Sequence, residues 1–406
     1  MTFFKQTIRS VPLEGQTVLV RADYNVPLRP DDTIDDDFRI RASLPTIKQL
    51  LDEKCKVVII SHLGRPRGRD LKLSLEPVAQ RLANHLGQNV RFVSEAVGDK
   101  VKMAVKKTQP GQVIMLENLR FYPGEEANDP QFAKQLAGDT GARYFVQDGF
   151  GVVHRAHAST AAITLELPSV AGLLLEKEYT TITKVMSHPD QPLVAVLGGA
   201  KVSDKISVIR AFIKIASTIV ITGVMANTFL KYKGIEIGKS KFEPNEEELI
   251  KIIYQEAADK VGKDKVDDFI WLPFDAAVGK EVSAQEPRRL AAMNALATDD
   301  LVLDMGDESI DTLTKLITKA KTVVWSGTVG IAELPNFAHG SARLALALAT
   351  HPDTTSIIGG GDTADFVLKW DARHGASFSH VSTGGSASLE LMAGQKLPGI
   401  ESLLDA

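Results

Sequence analysis

The feature that most limits how this chain can fold is a series of short, continuously apolar runs. They are Thr17–Arg21, Lys56–Ile60, Val113–Leu116, Tyr144–Gln147, Leu193–Leu197, Thr218–Thr222, Thr322–Trp325 and Thr355–Ile358. A strand with one wet face alternates apolar and polar residues; a strand buried on both faces does not. Helix-like stretches separate the runs from end to end, which predicts an α/β fold: doubly wound, Rossmann-like, with mainly parallel sheets covered by helices. At 406 residues the chain is too long for one core, since single cores stop growing near ~250–300 residues, so two such domains are expected.

The best boundary lies between Pro168 and Pro189. Between these prolines a helix is expected from about Ala171 to Met186, with Leu174, Leu175, Tyr179, Ile182, Val185 and Met186 on one broad face. Glu176, Lys177, Glu178 and Lys184 take the other positions, the pattern of an amphipathic helix. The reading is an N-terminal domain over 1–170, a hinge helix over 171–188 and a C-terminal domain over 189–389. A plain surface helix inside one domain is the alternative.

The net charge of −4 argues against a general nucleic-acid binder, which usually carries a basic excess. The single cysteine, Cys55, sits in an apolar run; it reads as a buried thiol, with no internal disulfide possible, and fits a reducing compartment. Residues 1–15 lack a signal-peptide core, and no run approaches the ~18 apolar residues of a membrane span. A soluble cytoplasmic protein with no membrane or nucleic-acid partner is expected.

Three glycine-rich turns follow apolar runs and lead into helix-like segments: Gly198-Gly199-Ala200-Lys201 with Lys205 beyond, Gly359-Gly360-Gly361-Asp362-Thr363, and Ser382-Thr383-Gly384-Gly385. Glycine lets the backbone approach a bound group and a helix start offers free N–H donors, so together they point to phosphate. Any one alone is more often a tight turn. Gly359-x-Gly361-x-x-Ala364 also fits the dinucleotide fingerprint, but the next strand-like stretch, 377–381, ends in Ser382-Thr383 and supplies no acidic residue for a ribose, so a nicotinamide site is discounted. The loop Gly234–Ser240 resembles a phosphate-binding loop one residue short and reads as a surface turn.

In the first half, basic residues recur at or just after strand ends: Arg21, His62, Arg65, Arg120 and Arg155. Ligands of open parallel sheets bind beyond the carboxyl ends of the strands, and guanidinium forks recognise carboxylate and phosphate. A solvated charge is the bland reading of any one of them; five in equivalent places suggest an anionic substrate. His154-Arg155-Ala156-His157 has no neighbouring ligand set for a metal and reads as anion-facing or hydrogen-bonding. The residues thus describe a basic half and a glycine-rich half, a kinase acting on a small acidic metabolite.

Nine stretches carry a resemblance over almost the whole length: VLVRADYNVPL (18–28), SHLGRP (61–66), LENLRF (116–121), DGFG with HRAHAS (148–159), LGGAKVSDKI (197–206), ANTFLK (226–231), IIGGGDTADF (357–366), SHVSTGG (379–385) and KLPGIESL (396–403). In this order and spacing the chain resembles the phosphoglycerate kinase family. The resemblance implies reversible phosphoryl transfer between 1,3-bisphosphoglycerate and Mg-ADP, giving 3-phosphoglycerate and ATP. It implies a triose site of Arg21, Asp23, Asn25, Arg39, His62, Arg65, Arg120 and Arg155, with Arg39 reaching the migrating phosphoryl. It implies a nucleotide site of Gly199, Ala200, Lys201, Lys205, Gly223, Glu333, Gly359, Gly360, Gly361, Asp362 and Thr363. Mg²⁺ would sit on Asp362; Lys201, Gly361 and Gly384 would join Arg39 around the transferred group. A hinge-bending monomer, with a tail at 390–406 packed back on the N-terminal domain, is also implied.

The chain departs from the family pattern mainly in the nucleotide half. The usual W-N-G-P reads Trp325-Ser326-Gly327-Thr328, the usual G-G-G-M reads Thr222-Gly223-Val224-Met225, and Asp307 stands where proline is usual. Ser386 replaces a glycine, while Gly149, Val152 and Val153 replace Ala, Thr and Ala in the DAFGTAHRAH pattern. An active enzyme with a reshaped base pocket is expected; a non-catalytic binding protein with an impaired nucleotide site is the alternative.

Overall fold

The computed structural model describes residues 3–406. Strands β1 (Thr17–Arg21), β2 (Lys56–Ile60), β3 (Val90–Val93), β4 (Val113–Leu116), β5 (Tyr144–Gln147) and β6 (Ser169–Ala171) form one sheet in the order β3-β4-β2-β1-β5-β6. Every neighbouring pair is parallel. Successive residues of a strand point to opposite faces. Val18, Val20, Val57 and Ile59 accordingly enter one core, and Leu19, Val58, Ile60 and Phe145 enter another. Both faces are covered by apolar packing, which is why these runs do not alternate.

A second parallel sheet is built from β7 (Leu193–Leu197), β8 (Thr218–Ile221), β9 (Ile270–Trp271), β13 (Thr322–Ser326), β14 (Thr355–Gly359) and β15 (His380–Val381), in the order β15-β14-β13-β7-β8-β9. Beside it in sequence, β10 (Asp275–Gly279), β11 (Arg289–Ala292) and β12 (Leu301–Met305) make a small antiparallel sheet. This sheet is absent from the expected strands. The run Arg289–Ala292 is largely exposed and has no apolar signature of its own.

Each parallel sheet has one strand from which the chain first departs to one side and later returns on the other. In the first sheet β1 lies between β2 and β5; in the second β7 lies between β8 and β13. The carboxyl ends come level there, Arg21 against Gln147 and Leu197 against Ser326. Such switch points open a crevice beyond the strand ends.

The chain divides into two compact units. One runs to Thr181 and also contains Lys396–Ala406; the other is Ile182–Gln395. The division therefore falls inside the helix Leu173–Ser187. That helix starts later than Ala171 because Ser169–Ala171 is paired to β5 as a strand. The return to the first unit likewise starts at Lys396 and not at 390, because Ser386–Met392 is a helix packed on Ile206–Ile215. Beyond it the ammonium of the buried Lys5 binds the Glu401 and Leu403 carbonyls at 2.7 and 2.9 Å and the Asp405 carboxylate at 2.7 Å. No helix among the described residues is long and apolar enough to cross a membrane.

The start of the Leu173–Ser187 helix is capped from β5. Asp148 Oδ1 accepts from the amides of Leu174 at 3.0 Å and Leu175 at 3.4 Å, while its Oδ2 is buried without a partner. Burial pushes this carboxyl up to about 7, against the pull of its hydrogen bonds. An acid whose folded value is raised contributes stability at low pH and loses it as pH climbs from 3.8 towards about 7; the limiting slope is about 1.4 kcal/mol per pH unit. We expect Asp148→Asn to keep the cap, supply an amide donor, and gain stability relative to wild type as pH rises from 5 to 8. Urea denaturation across that range measures the difference; a difference that does not vary with pH contradicts the assignment.

Candidate functional site

In the first unit the basic residues converge at the carboxyl ends of β1, β2, β4 and β5. Arg21 ends β1 and is almost fully enclosed. Its Nε donates to Ser159 Oγ at 2.7 Å, its Nη1 to the Ala22 carbonyl at 2.6 Å, and its Nη2 faces His62 Nδ1 at 3.2 Å. The carboxylate of Glu125, wholly buried, lies 3.6 Å from the guanidinium. An arginine only donates, so His62 Nδ1 is the acceptor and its Nε2 carries the proton. Burial, and then the cations Arg21, Arg120 and Arg39, hold the His62 ring neutral well below the usual range, with Asp23 opposing them.

Asp23 is paired with Arg39, which enters from the first turn of the helix Phe38–Asp52. Burial raises the Asp23 carboxyl, but Arg39 and Arg21 outweigh it and bring it to about 2. Asn25 Oδ1 accepts from the Gly64 amide at 2.8 Å, and Arg120 Nη1 donates to the Gly64 carbonyl at 2.7 Å. Both peptide groups of this turn are thus fixed by candidate site residues. Arg120 also meets Glu126 at 3.2 Å. Arg155 donates to His154 Nε2 at 3.0 Å. Burial, then Arg155, lowers the His154 ring to about 4; burial, then Arg21 and Arg120, does the same to His157. Arg65 stands exposed on the loop after His62. Among the described residues no cluster of three or more His, Cys, Asp or Glu side chains is arranged to hold a metal.

In the second unit the switch point is closed by two glycines. A Cβ on Gly327 would lie 2.3 Å from the Gly198 carbonyl, and one on Gly198 would lie 2.4 Å from Thr222 Oγ1. Gly327 also has φ +104, a conformation that side chains resist. The Lys205 ammonium lies under this contact, bonded to the Gly198 carbonyl, to the Ser326 carbonyl at 2.8 Å and to Ser326 Oγ at 3.2 Å. Burial pulls Lys205 down to about 8, partly offset by Asp362. Lys201 is exposed nearby, before a turn whose Val202 and Ser203 amides bond Glu243 at 2.6 and 3.1 Å.

The turn after β14 places Gly360 at φ +85 and starts the helix Gly361–Trp370 with Asp362 exposed in its first turn. Thr363 Oγ1 accepts from the Gly327 amide at 2.7 Å, so this turn is tied to the β13 end. At the third glycine-rich turn the Gly384 amide donates to Ser382 Oγ at 3.0 Å.

A cavity of about 420 Å³ opens between these turns. Gly199, Ala200, Gly223, Thr328, Glu333 and Asp362 belong to its lining, and Val224, Met293, Leu301 and Leu303 give it apolar walls. A second hollow of about 530 Å³ shares Thr328, Glu333 and Asp362 and is lined further by Phe366 and Trp370. The loop read as a plain surface turn is a wall of the first cavity: Lys239, Ser240 and Lys241 line it, and Ser240 is buried. Sequence reasoning also assigned no role to Asn227 and Asp304, which line it too. Asp304 accepts from the amides of Met305 at 2.8 Å and Gly340 at 2.9 Å, and burial raises it to about 7. The only sequence sign of Asn227 was its place in ANTFLK.

Comparison with known proteins gives the family. A family profile described as phosphoglycerate kinase matches residues 8–395. The chain is 44% identical over 398 residues to phosphoglycerate kinase of Dictyoglomus turgidum, covering 98% of each chain. It is 45% identical over 403 residues to that of Pseudothermotoga lettingae, covering 99% of each. Among solved structures, phosphoglycerate kinase from Coxiella burnetii superposes with a TM-score of 0.82 at 34% identity, covering 98% of each chain. The Pyrococcus horikoshii enzyme gives 0.83 at 28% identity with the same coverage. The chain belongs to the phosphoglycerate kinase family, phosphotransferases that move a phosphoryl group between 1,3-bisphosphoglycerate and ADP.

Proposed function

We propose that the basic cluster of the first unit holds the triose and that the glycine-lined cavity of the second holds the nucleotide. The observation that carries this reading is their common placement: each gathers where the two central strands of a parallel sheet end side by side. His62 Nε2–H, Arg65, Arg120 and Arg155 would bind the non-reacting phosphate. Arg21, Asp23 and Asn25 would orient the carboxyl and hydroxyl end. Arg39 would leave Asp23 to meet the transferring phosphoryl. In the second unit, Lys201, Lys205, Thr363 and the 359–361 amides would bind nucleotide phosphates, Gly199, Ala200 and Gly223 would flank the base, and Glu333 would bond the ribose. Gly384 would support the transferred group.

Magnesium fits this inventory. It keeps several waters and is commonly held by one or two carboxylates together with substrate phosphates, and Asp362 is an exposed carboxylate in the cavity lining. Beside Asp362, Mg²⁺ would neutralise phosphate charge.

The acceptor carboxylate of 3-phosphoglycerate, with a pKa near ~4, is already ionised at neutral pH, so no general base is required. What remains is alignment and the spreading of charge over the transferring group. Water competes for that group, so we infer hinge-bending at the helix Leu173–Ser187 before transfer. We also infer a cytoplasmic monomer; the sole cysteine, buried with its thiol donating to the Leu13 carbonyl at 3.1 Å, supports a reducing compartment.

Steady-state turnover of purified protein with 3-phosphoglycerate, Mg²⁺ and ATP or GTP, read by coupled reduction of the acyl phosphate, tests the reading. Turnover with ATP is expected; a folded protein that binds 3-phosphoglycerate but turns over neither nucleotide contradicts it. Arg39→Ala is expected to lower kcat by about 10³–10⁵, by analogy with other charge-stabilising arginines, with a much smaller effect on triose affinity. A kcat close to wild type removes Arg39 from the transfer step. Glu125→Ala leaves the buried Arg21 uncompensated and is expected to destabilise the first unit by about 3–5 kcal/mol. Glu125→Gln, which can still bond Ser159, is expected to cost less. Denaturant titration followed by a probe in the first unit distinguishes them, and equal losses would assign the effect to packing alone.

A further inference from the structure

Glu243 lies in the segment 233–246, which joins the helix Gly223–Tyr232 to the helix Glu247–Val261. Lys239, Ser240 and Lys241 of this segment line the 420 Å³ cavity. Two residues on, the Glu243 carboxylate meets the turn that carries Lys201. Its Oε2 accepts from the Val202 amide at 2.6 Å and the Ser203 amide at 3.1 Å, and its Oε1 accepts from the Ser203 hydroxyl at 2.5 Å. Burial pushes the Glu243 carboxyl up, but the Ser203 and Val202 donors and the Lys201 charge outweigh it and hold it below its usual range. Bonds to an ionised acceptor are the strong ones.

Glu243 is itself held. Its amide donates to Thr228 Oγ1 at 3.0 Å, and that hydroxyl donates to the Val224 carbonyl at 3.1 Å. Asn227 Nδ2 donates to the Lys241 carbonyl at 3.0 Å. Two consecutive residues of one helix thus fix the backbone on either side of Phe242. The Lys201 turn is held at both ends. At one end the Met225 amide donates to the Gly199 carbonyl at 3.0 Å. At the other, Val202 is buried and its amide, part of the peptide that joins it to Lys201, goes to Glu243. Between these anchors only Ala200 and Lys201 remain, both exposed.

We propose that Glu243 is a positioning residue for Lys201: its carboxylate fixes the Lys201–Val202 peptide and so presents the ammonium to the nucleotide phosphates. The proposal rests on the reading of Lys201 as a phosphate-binding residue. Anchoring the backbone beforehand lowers the cost of ordering the turn when the ligand arrives. Charge alone predicts the opposite sign. Lys239 and Lys241 line the cavity and Lys201 follows Ala200 of its lining; a carboxylate beside these cations repels an anionic ligand, and its removal would tighten binding.

Calorimetric binding of Mg-ADP and, separately, of 3-phosphoglycerate to the full chain tests this. Glu243→Ala is expected to weaken ADP binding about tenfold, the loss of roughly one charge-assisted bond, and to leave 3-phosphoglycerate unaffected. Glu243→Gln keeps an oxygen for the two amides and should recover most of the loss. On top of Lys201→Ala, which itself weakens ADP binding, Glu243→Ala should cost about twofold or less, because residues that act as a unit are not additive. ADP binding by Glu243→Ala as tight as wild type, or tighter, overturns the proposal, as does a full tenfold loss on top of Lys201→Ala; both leave the nucleotide reading standing. Lys201→Ala that binds ADP like wild type overturns the proposal and the Lys201 assignment together. Failure of wild type to bind ADP overturns the nucleotide reading as well. Where Glu243→Ala fails to fold, Ser203→Ala decides, since it removes only an exposed hydroxyl donor. ADP binding about threefold weaker supports the proposal, and unchanged binding overturns it.

Discussion

The second unit depends on one close approach, the contact between the ends of β7 and β13 that only glycine permits. A Cβ on Gly327 would meet the Gly198 backbone at 2.3 Å, and one on Gly198 would meet the Thr328 carbonyl at 2.7 Å, distances that force the strand ends apart. Because they stay together, the Gly198 and Ser326 carbonyls converge on one point, and Lys205 occupies it. The same contact places the Gly327 amide on Thr363 and so ties the 359–361 turn to the sheet. The geometry of these turns follows from strand packing; the loops inherit it.

The first unit is organised by charge. Four arginines, Arg21, Arg39, Arg120 and Arg155, are gathered with Asp23, Glu125 and Glu126. Buried ion pairs rarely add stability over apolar residues of similar volume, so this cluster has no purpose in the fold that aliphatic side chains would not serve as well. The neighbouring rings respond to the same field: His62, His154 and His157 are all held below the ordinary histidine range by burial and adjacent cations. At neutral pH they are hydrogen-bonding groups, and the positive charge offered to an anion is carried by guanidinium.

What could be read from the sequence follows from locality. The double-faced runs predicted strands whose ends differ from the structure by at most one residue, as where Thr222 leaves β8 to precede the helix Gly223–Tyr232. The glycine-rich turns were legible because backbone approach demands that residue type in place. The antiparallel sheet was not, since Arg289–Ala292 becomes a strand only through pairing with Asp275–Val278. Asn227 and Asp304 were missed for the same reason: their roles are set by the Lys241 carbonyl and the Gly340 amide, 14 and 36 residues away. The loop Gly234–Ser240 was misjudged because Ser240 is buried through its bond to Val302, 62 residues on.

The departures from the family pattern divide by whether the structure compensates them locally. Asp307, in place of the usual proline, opens the helix Asp307–Lys319, where a carboxylate is favourable, and pairs with Arg288 at 2.6 Å. Gly149 sits where a Cβ would come 3.1 Å from the Asp23 amide, so losing the alanine methyl relieves a tight contact. Ser326 lacks the reach of asparagine, yet its hydroxyl joins the oxygens around Lys205. Thr328 gives up the fixed φ of proline, and its carbonyl is met by Thr222. Val224 differs from these. It is half-buried and lines the cavity. There its branched apolar side chain covers backbone that a glycine would leave bare along the cavity wall.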